Sequence, residues 1–171
     1  AVMVLGCTSD AGKSWLATAL CRWYARRGYA VKPYKAQNMS NHARVVALPE
    51  GGFGEIGSAQ YFQALAAGAR PEVRMNPVLL KPEADTRSQV VVMGRVRHEF
   101  GTLPWRERSE LLRAEANRAL AELQENCEVL VIEGAGSPAE INLAANDYVN
   151  LGWWPTSTAA APLPTSTAPG R

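Results

Sequence analysis

Val2-Met3-Val4-Leu5-Gly6-Cys7-Thr8-Ser9-Asp10-Ala11-Gly12-Lys13-Ser14 passes from an apolar run through a glycine-bounded loop into an amphipathic stretch. That order predicts a strand ending near Gly6, a tight loop and a helix opening at Lys13. Small residues in such a loop let backbone N–H groups turn inward around anionic oxygens, and the positive end of the following helix points at the same spot. The stretch reads as a phosphate-binding loop. Gly6, Thr8, Ser9, Asp10, Ala11 and Gly12 form the cradle, Lys13 adds a point charge for the outer phosphates, and Ser14 offers a hydroxyl to a magnesium ion. The spacing departs from G-x-x-x-x-G-K-[ST] by one residue: Cys7 stands where the first glycine is expected, and Gly6 lies one place earlier.

The following helix is expected over residues 13–27, with Leu16, Ala19, Leu20, Trp23 and Tyr24 on its inner face and Gly28 as its stop. Tyr29-Ala30-Val31-Lys32-Pro33-Tyr34-Lys35 reads as a second strand, and strand, helix, strand in this order implies a parallel crossover. Ligands of such sheets gather beyond the carboxyl ends of the strands. Lys35 and the next residues, including Asn38, therefore leave the sheet on the side of the phosphate loop. Glu128-Val129-Leu130-Val131-Ile132 lacks polar alternation, as a parallel strand covered on both faces should, and delivers Glu133 at its carboxyl end ahead of Gly134-Ala135-Gly136. An acid in that place beside a phosphate loop suits a magnesium ion, held directly or through water.

Between these elements the chain is less explicit. Gly52-Phe53-Gly54-Glu55-Ile56-Gly57 spells G-x-G-x-x-G, but a Pro/Gly-rich link rather than a strand precedes it, so it is not a dinucleotide fingerprint. Glu55 is expected in the first turn of a helix running to about residue 67, where a carboxylate often serves only the helix dipole. Met75-Asn76-Pro77-Val78-Leu79-Leu80-Lys81-Pro82 is a short apolar stretch between prolines, and Ser88-Gln89-Val90-Val91-Val92-Met93-Gly94 is a β-branched strand. Lys81, Asp85 and Gln89 face either a ligand or water. A long amphipathic helix is expected over residues 104–126, with Leu111, Leu112, Glu115, Ala119, Leu120 and Leu123 inside. The residues beyond Gly152 are rich in Pro, Ser, Thr and Ala without apolar periodicity, which predicts a disordered tail over 153–171.

The totals set bounds. A chain of 171 residues, 47% hydrophobic and 20% charged, fits one globular domain. No apolar run approaches the roughly 18 residues of a membrane span, and a basic leader is absent from the N-terminal run, so a cytoplasmic protein without a membrane partner is expected. A net charge of +2 gives no electrostatic case for nucleic acid. Cys7, Cys21 and Cys127 form no C-x-x-C pair and suit reduced thiols. His42 and His98 have no metal-ligand partner nearby in the sequence.

Over residues 2–152 the chain resembles the N-terminal synthetase domain of the cobyric acid synthases, glutamine-dependent amide-forming enzymes of cobalamin biosynthesis. Five ordered segments carry the resemblance: Gly6 to Ser14, Lys35-Ala36-Gln37-Asn38-Met39, Gly54-Glu55-Ile56-Gly57-Ser58-Ala59-Gln60, Met75 to Pro82, and Glu133-Gly134-Ala135-Gly136-Ser137-Pro138-Ala139-Glu140-Ile141-Asn142-Leu143. It is similar, more distantly, to dethiobiotin synthetase. The resemblance implies an α/β fold, a P-loop NTPase-like parallel sheet flanked by helices, with ATP and magnesium as cofactors. Lys13 and the loop backbone would hold ATP; Ser14, Glu55 and Glu133 would hold the metal; Lys35 would lie near the γ-phosphate and the reacting carboxylate. The implied reaction phosphorylates corrin side-chain carboxylates, and ammonia then attacks the acyl phosphate. Asn38, Asn76, Lys81 and Gln89 are candidate contacts to the corrinoid substrate.

Two departures stand out. Cys7 and Trp15 replace residues that are small and hydroxylic in the family. Family members also continue from Asn146-Asp147-Tyr148-Val149-Asn150-Leu151-Gly152 into further strands and a glutamine amidotransferase domain that supplies ammonia. Residues 153–171 match neither, so the sheet is expected to be truncated at its C-terminal strands. An inactive nucleotide-binding fragment or pseudogene product, and a carboxylate-activating enzyme of the dethiobiotin synthetase kind, stay open as alternatives, as does a homo-oligomer.

Overall fold

The computed structural model describes residues 1–6, 8, 10–84, 87–101 and 103–135. Their order is β1 (Val2–Val4), α1 (Lys13–Ala25), β2 (Val31–Tyr34), β3 (Gln37–Met39), β4 (Ala43–Ala47), β5 (Phe53–Gly57), α2 (Ser58–Ala66), β6 (Val78–Ala84), β7 (Arg87–Val92), β8 (Arg95–Val96), α3 (Trp105–Gln124) and β9 (Val129–Glu133). Cys7, Ser9, Asp85 and everything past Ala135, including the Gly136 to Leu143 segment and the 153–171 tail, lie outside the described residues.

A strand with no polar residue before its last position has no face to give to water. Accordingly β9 takes the centre of a three-stranded parallel sheet ordered β1-β9-β2, with all five of its residues buried. Val129 and Val131 face one core with Val4, Val31, Ala17 and Cys21. Leu130 and Ile132 face the other, with Tyr34, Leu112, Ala116, Leu120 and Leu123. The alternation is the strand's period of two, and each fully buried Leu, Ile or Val contributes roughly 1.5–3 kcal/mol of transfer free energy. So α1 covers one face and α3 the other. The two strands joined through α1 are not neighbours, because β9 separates them. Both feed their carboxyl ends to the same side.

The helix α1 ends where Gly28, at φ 87°, turns the chain, but its inner face differs from the expected one. Ala17 and Cys21 are fully buried, Leu20 and Tyr24 pack at their edge, and Leu16 and Trp15 are 54% and 84% exposed. Small side chains let the helix approach β9 closely, so the larger apolar residues one position away were displaced outward. Burial pushes the Cys21 thiol up to about 12, with its own backbone hydrogen bond opposing. Alkylation at pH 8 followed by peptide mass mapping should therefore leave Cys21 unmodified until the chain unfolds. The folded state keeps that proton while an unfolded thiol near 9 releases it, so this group's contribution to stability is complete below about pH 9 and is lost as pH rises towards about 12.

The middle of the chain departs most from expectation. Residues 53–57 form strand β5, paired antiparallel with β4, so Glu55 sits in a strand and not in the first turn of a helix. Gly51 and Gly52, with φ of 97° and 81°, make the turn between the two strands. Strands β3, β6, β7 and β8 form a second, mixed sheet. Pro82 lies within β6, and the register with β7 shifts between Pro82 and Ala84, as a ladder must where a proline cannot donate. Among the described residues no helix is long and apolar enough to cross a membrane.

Candidate functional site

The helix α1 starts bare. Gly12 occupies its N-cap with φ 82°, no side chain caps it, and its first turn carries no acid. The first backbone N–H groups of a helix have no intrahelical partner, so this end offers donors and a positive dipole to an anion. Gly6 is a close-approach position: a Cβ there would lie 3.0 Å from Lys13 Cγ and 3.1 Å from the Ala11 Cβ. Its missing side chain lets the Lys13 stem cross the loop, and Lys13 Nζ donates to the Thr8 carbonyl at 2.7 Å.

This helix start lines a cleft of about 510 Å³ together with the residues that leave the carboxyl ends of β2 and β9: Asp10, Gly12, Lys13, Ser14, Lys35, Asn38 and Glu133 are among its walls. Trp15 and Met39 form an apolar lip, 84% and 64% exposed.

At the floor stands Glu133, 1% exposed. Ser14 Oγ and Lys35 Nζ each donate to its Oε1 at 2.7 Å. Gln63 Nε2 donates to its Oε2 at 2.6 Å, and Gln60 Nε2 reaches the same oxygen at 3.5 Å. A buried carboxylate is tolerable only when paired and hydrogen-bonded, and here four groups from three elements converge on it. Because Ser14 spends its proton on Glu133, its oxygen lone pairs stay turned away from that bond and free to meet a cation.

The two glutamines carry no role in the sequence reading. Both are fully buried on α2, and among the described residues the Oε1 atom of each has no hydrogen-bond partner. Leaving a buried acceptor bare costs about 1–3 kcal/mol. A pair of amides three residues apart on the inward face of a helix was the available signal, at spacing that puts both on one side.

The remaining sequence candidates divide. Asn38 lines the cleft. Glu55 is not among the residues lining it; its Oε2 accepts from Lys81 Nζ at 2.6 Å, both side chains being partly exposed. Gln89 is directly opposite Lys81 in the β6–β7 ladder, so the two point to one face. Glu55 also shares a face of β5 with Gly57, where a Cβ would come within 2.5 Å of Asn38 Nδ2. Asn76 is 1% exposed and engaged with the backbone: its Oδ1 accepts from Gly57 N at 2.9 Å, and its Nδ2 donates to the carbonyls of Lys35 and Val78 at 3.1 and 2.9 Å. It ties the end of β2 to β5 and β6.

The G-x-G-x-x-G string has three separate causes here. Gly52 turns the hairpin, Gly54 lets the chain pass Gly94, where a Cβ would be 3.1 Å from Gly94 Cα, and Gly57 makes room for Asn38 and Gln60.

A family model described as CbiA, the CobQ/CobB/MinD/ParA nucleotide binding domain, matches residues 2–135. The chain is 70% identical over 151 residues to a cobyric acid synthase of Methylibium petroleiphilum, 68% over 150 residues to one of Paracidovorax citrulli, and 67% over 156 residues to one of Leptothrix cholodnii. Each match covers 88% of this chain and 30% of the relative, so the chain spans under a third of the length of these curated relatives.

Proposed function

Because the chain belongs to the CobQ/CobB/MinD/ParA nucleotide-binding domain family, we propose that its cleft binds ATP with magnesium and activates a carboxylate of a corrinoid as an acyl phosphate for amidation in cobalamin biosynthesis. The observation that carries this reading is the convergence of Ser14 and Lys35 on the buried Glu133 beside an uncapped helix start.

The donor set suits the metal. Magnesium takes hard oxygen ligands and keeps several waters. Among the described residues no group of three or more His, Cys, Asp or Glu side chains could hold an ion, so the protein's share would be the Ser14 hydroxyl and Glu133. Glu55 would join them only by leaving Lys81. The charges agree with this: Lys13 and Lys35 among the lining residues are balanced by Asp10 and Glu133, so a triphosphate needs further positive charge brought with it. When bound, the ion would neutralise phosphate oxygens as charge redistributes.

The chain's own residues would do the rest. Backbone N–H groups at Gly12, Lys13 and Ser14 orient the phosphates, and Lys13 leaves the Thr8 carbonyl to reach the outer ones. Lys35 draws the attacking carboxylate and the γ-phosphate, two anions, to one place. A carboxylate oxygen bonds to the γ-phosphorus as the bond to ADP breaks. Ammonia derived from glutamine then bonds to the acyl carbon, phosphate leaves, and the nitrogen loses a proton. Asn38 and the Lys81–Gln89 face would receive the corrin side chains.

Two measurements test this. Thermal unfolding should shift upward with magnesium and ATP together, by the equivalent of about 2.7 kcal/mol at one hundred times the dissociation constant. Hydroxylamine should trap a hydroxamate from a corrinoid acid in their presence. No shift with magnesium and ATP would favour an inactive remnant. ATP cleavage that requires a diamino fatty acid with bicarbonate, and none with the corrinoid, would transfer the site to dethiobiotin synthetase chemistry.

A further inference from the structure

We infer that Gln63, backed by Gln60, is a positioning residue for this site: the two amides fix the Glu133 carboxylate so that its other oxygen is presented to Ser14 and Lys35. The functional consequence rests on the metal-nucleotide reading above, while the orienting contact itself does not.

A carboxylate turned about its last bond exchanges its two oxygens. At Glu133 that rotation is blocked from one side, since Oε2 takes Gln63 Nε2 at 2.6 Å and Gln60 Nε2 at 3.5 Å. Oε1 is then left for Ser14 Oγ and Lys35 Nζ. Only the nitrogen end of an amide can face a carboxylate, so both glutamines turn their carbonyls away, and no described residue donates to either. Two fully buried amides thus direct their donors at one carboxylate oxygen.

Neither glutamine lines the cleft, so neither is a catalytic residue. Gln63 Nε2 also lies 3.5 Å from the Ser14 carbonyl, at the first turn of α1. The orientation is relayed from a rigid base: Asn76 holds the Gly57 N–H immediately before α2, and α2 sets the glutamines one turn apart. Removing an outer partner of this kind typically costs about ten- to a hundredfold in metal affinity.

The test is Gln63→Met, which keeps length and helix preference while removing both the donor and the carbonyl. Calorimetric titration should find the magnesium concentration needed for half-maximal ATP binding raised about tenfold, with ATP binding in chelator unchanged within error. A second arm uses no ligand: the unfolding midpoints of Gln63→Met, Glu133→Ala and the double variant should be non-additive, the double losing less than the two singles combined. An unaltered magnesium requirement, a parallel loss of metal-free ATP binding, or strict additivity would overturn the inference. Wild-type ATP binding that ignores magnesium would instead overturn the proposed function, and the ligand-free arm would still decide the role of Gln63.

Discussion

Replacing Glu133 with alanine should lower stability by about 3–5 kcal/mol, the cost of breaking a buried ion pair from one side, and abolish magnesium-dependent ATP binding. Lys35 is 9% exposed and loses the partner that holds it at 2.7 Å. The damage spreads further, because Ser14, Gln60 and Gln63 donate to the same carboxylate, and a buried donor left unpaired carries its full desolvation cost. In a domain of this size the unfolding midpoint should fall by roughly 10 °C or more. Glu133→Gln should lose less stability, since its carbonyl still accepts from one side, yet magnesium-dependent binding should fall as far as in the alanine variant. Combining Glu133→Leu with Lys35→Met separates the two effects: removing both charges should recover part of the stability, with Gln60 and Gln63 preventing full recovery, and no ATP binding should return. Denaturant titration alongside calorimetry checks the series. A Glu133→Ala chain as stable as wild type would mean that the Lys35 contact is solvated.

The parts of this site that the sequence makes legible are those whose position alone implies work. Glu133 ends an unbroken apolar strand and Lys35 follows the strand beside it, so the parallel sheet brings both to one end. Gln60 and Gln63 offer only their helical spacing as a signal. Amides at helical spacing look like a solvated stripe, and only a buried carboxylate one layer away gives them a partner. Glu55 shows a third case. Its pairing with Lys81 joins β5 to β6, two strands of different sheets, and neither segment's local pattern encodes that meeting. Hydrophobic size misled the reading of α1 as well: Leu16 and Trp23 have the period of a core face, but close packing on β9 selected Ala17 and Cys21.

The hairpin that carries Glu55 depends on a contact between glycines far apart in sequence, and Gly94→Ala should be among the most damaging single-methyl changes in the molecule. Gly94 has φ 81°, and a Cβ there would sit 2.6 Å from Val73 Cγ1, 3.0 Å from Gly54 Cα and 3.1 Å from the Glu55 N. Two of those neighbours are backbone. The third belongs to a valine 2% exposed in the cluster with Val46, Leu48 and Ile56. The chains cannot part without breaking the 3.0 Å hydrogen bond from Glu55 N to the Gly94 carbonyl. Left-handed strain contributes about 1–3 kcal/mol and overpacking about 1–3 kcal/mol more, so a loss of roughly 2–6 kcal/mol is expected. Gly28→Ala is the control, because Gly28 has φ 87° with nothing within 4 Å of its would-be Cβ. It should show the strain alone, about 1–3 kcal/mol. If denaturation midpoints of the two variants coincide, crowding at the Gly54–Gly94 crossing contributes nothing; if Gly94→Ala is the worse by a clear margin, the close approach of the two glycines is what holds the hairpin against β7 and β8.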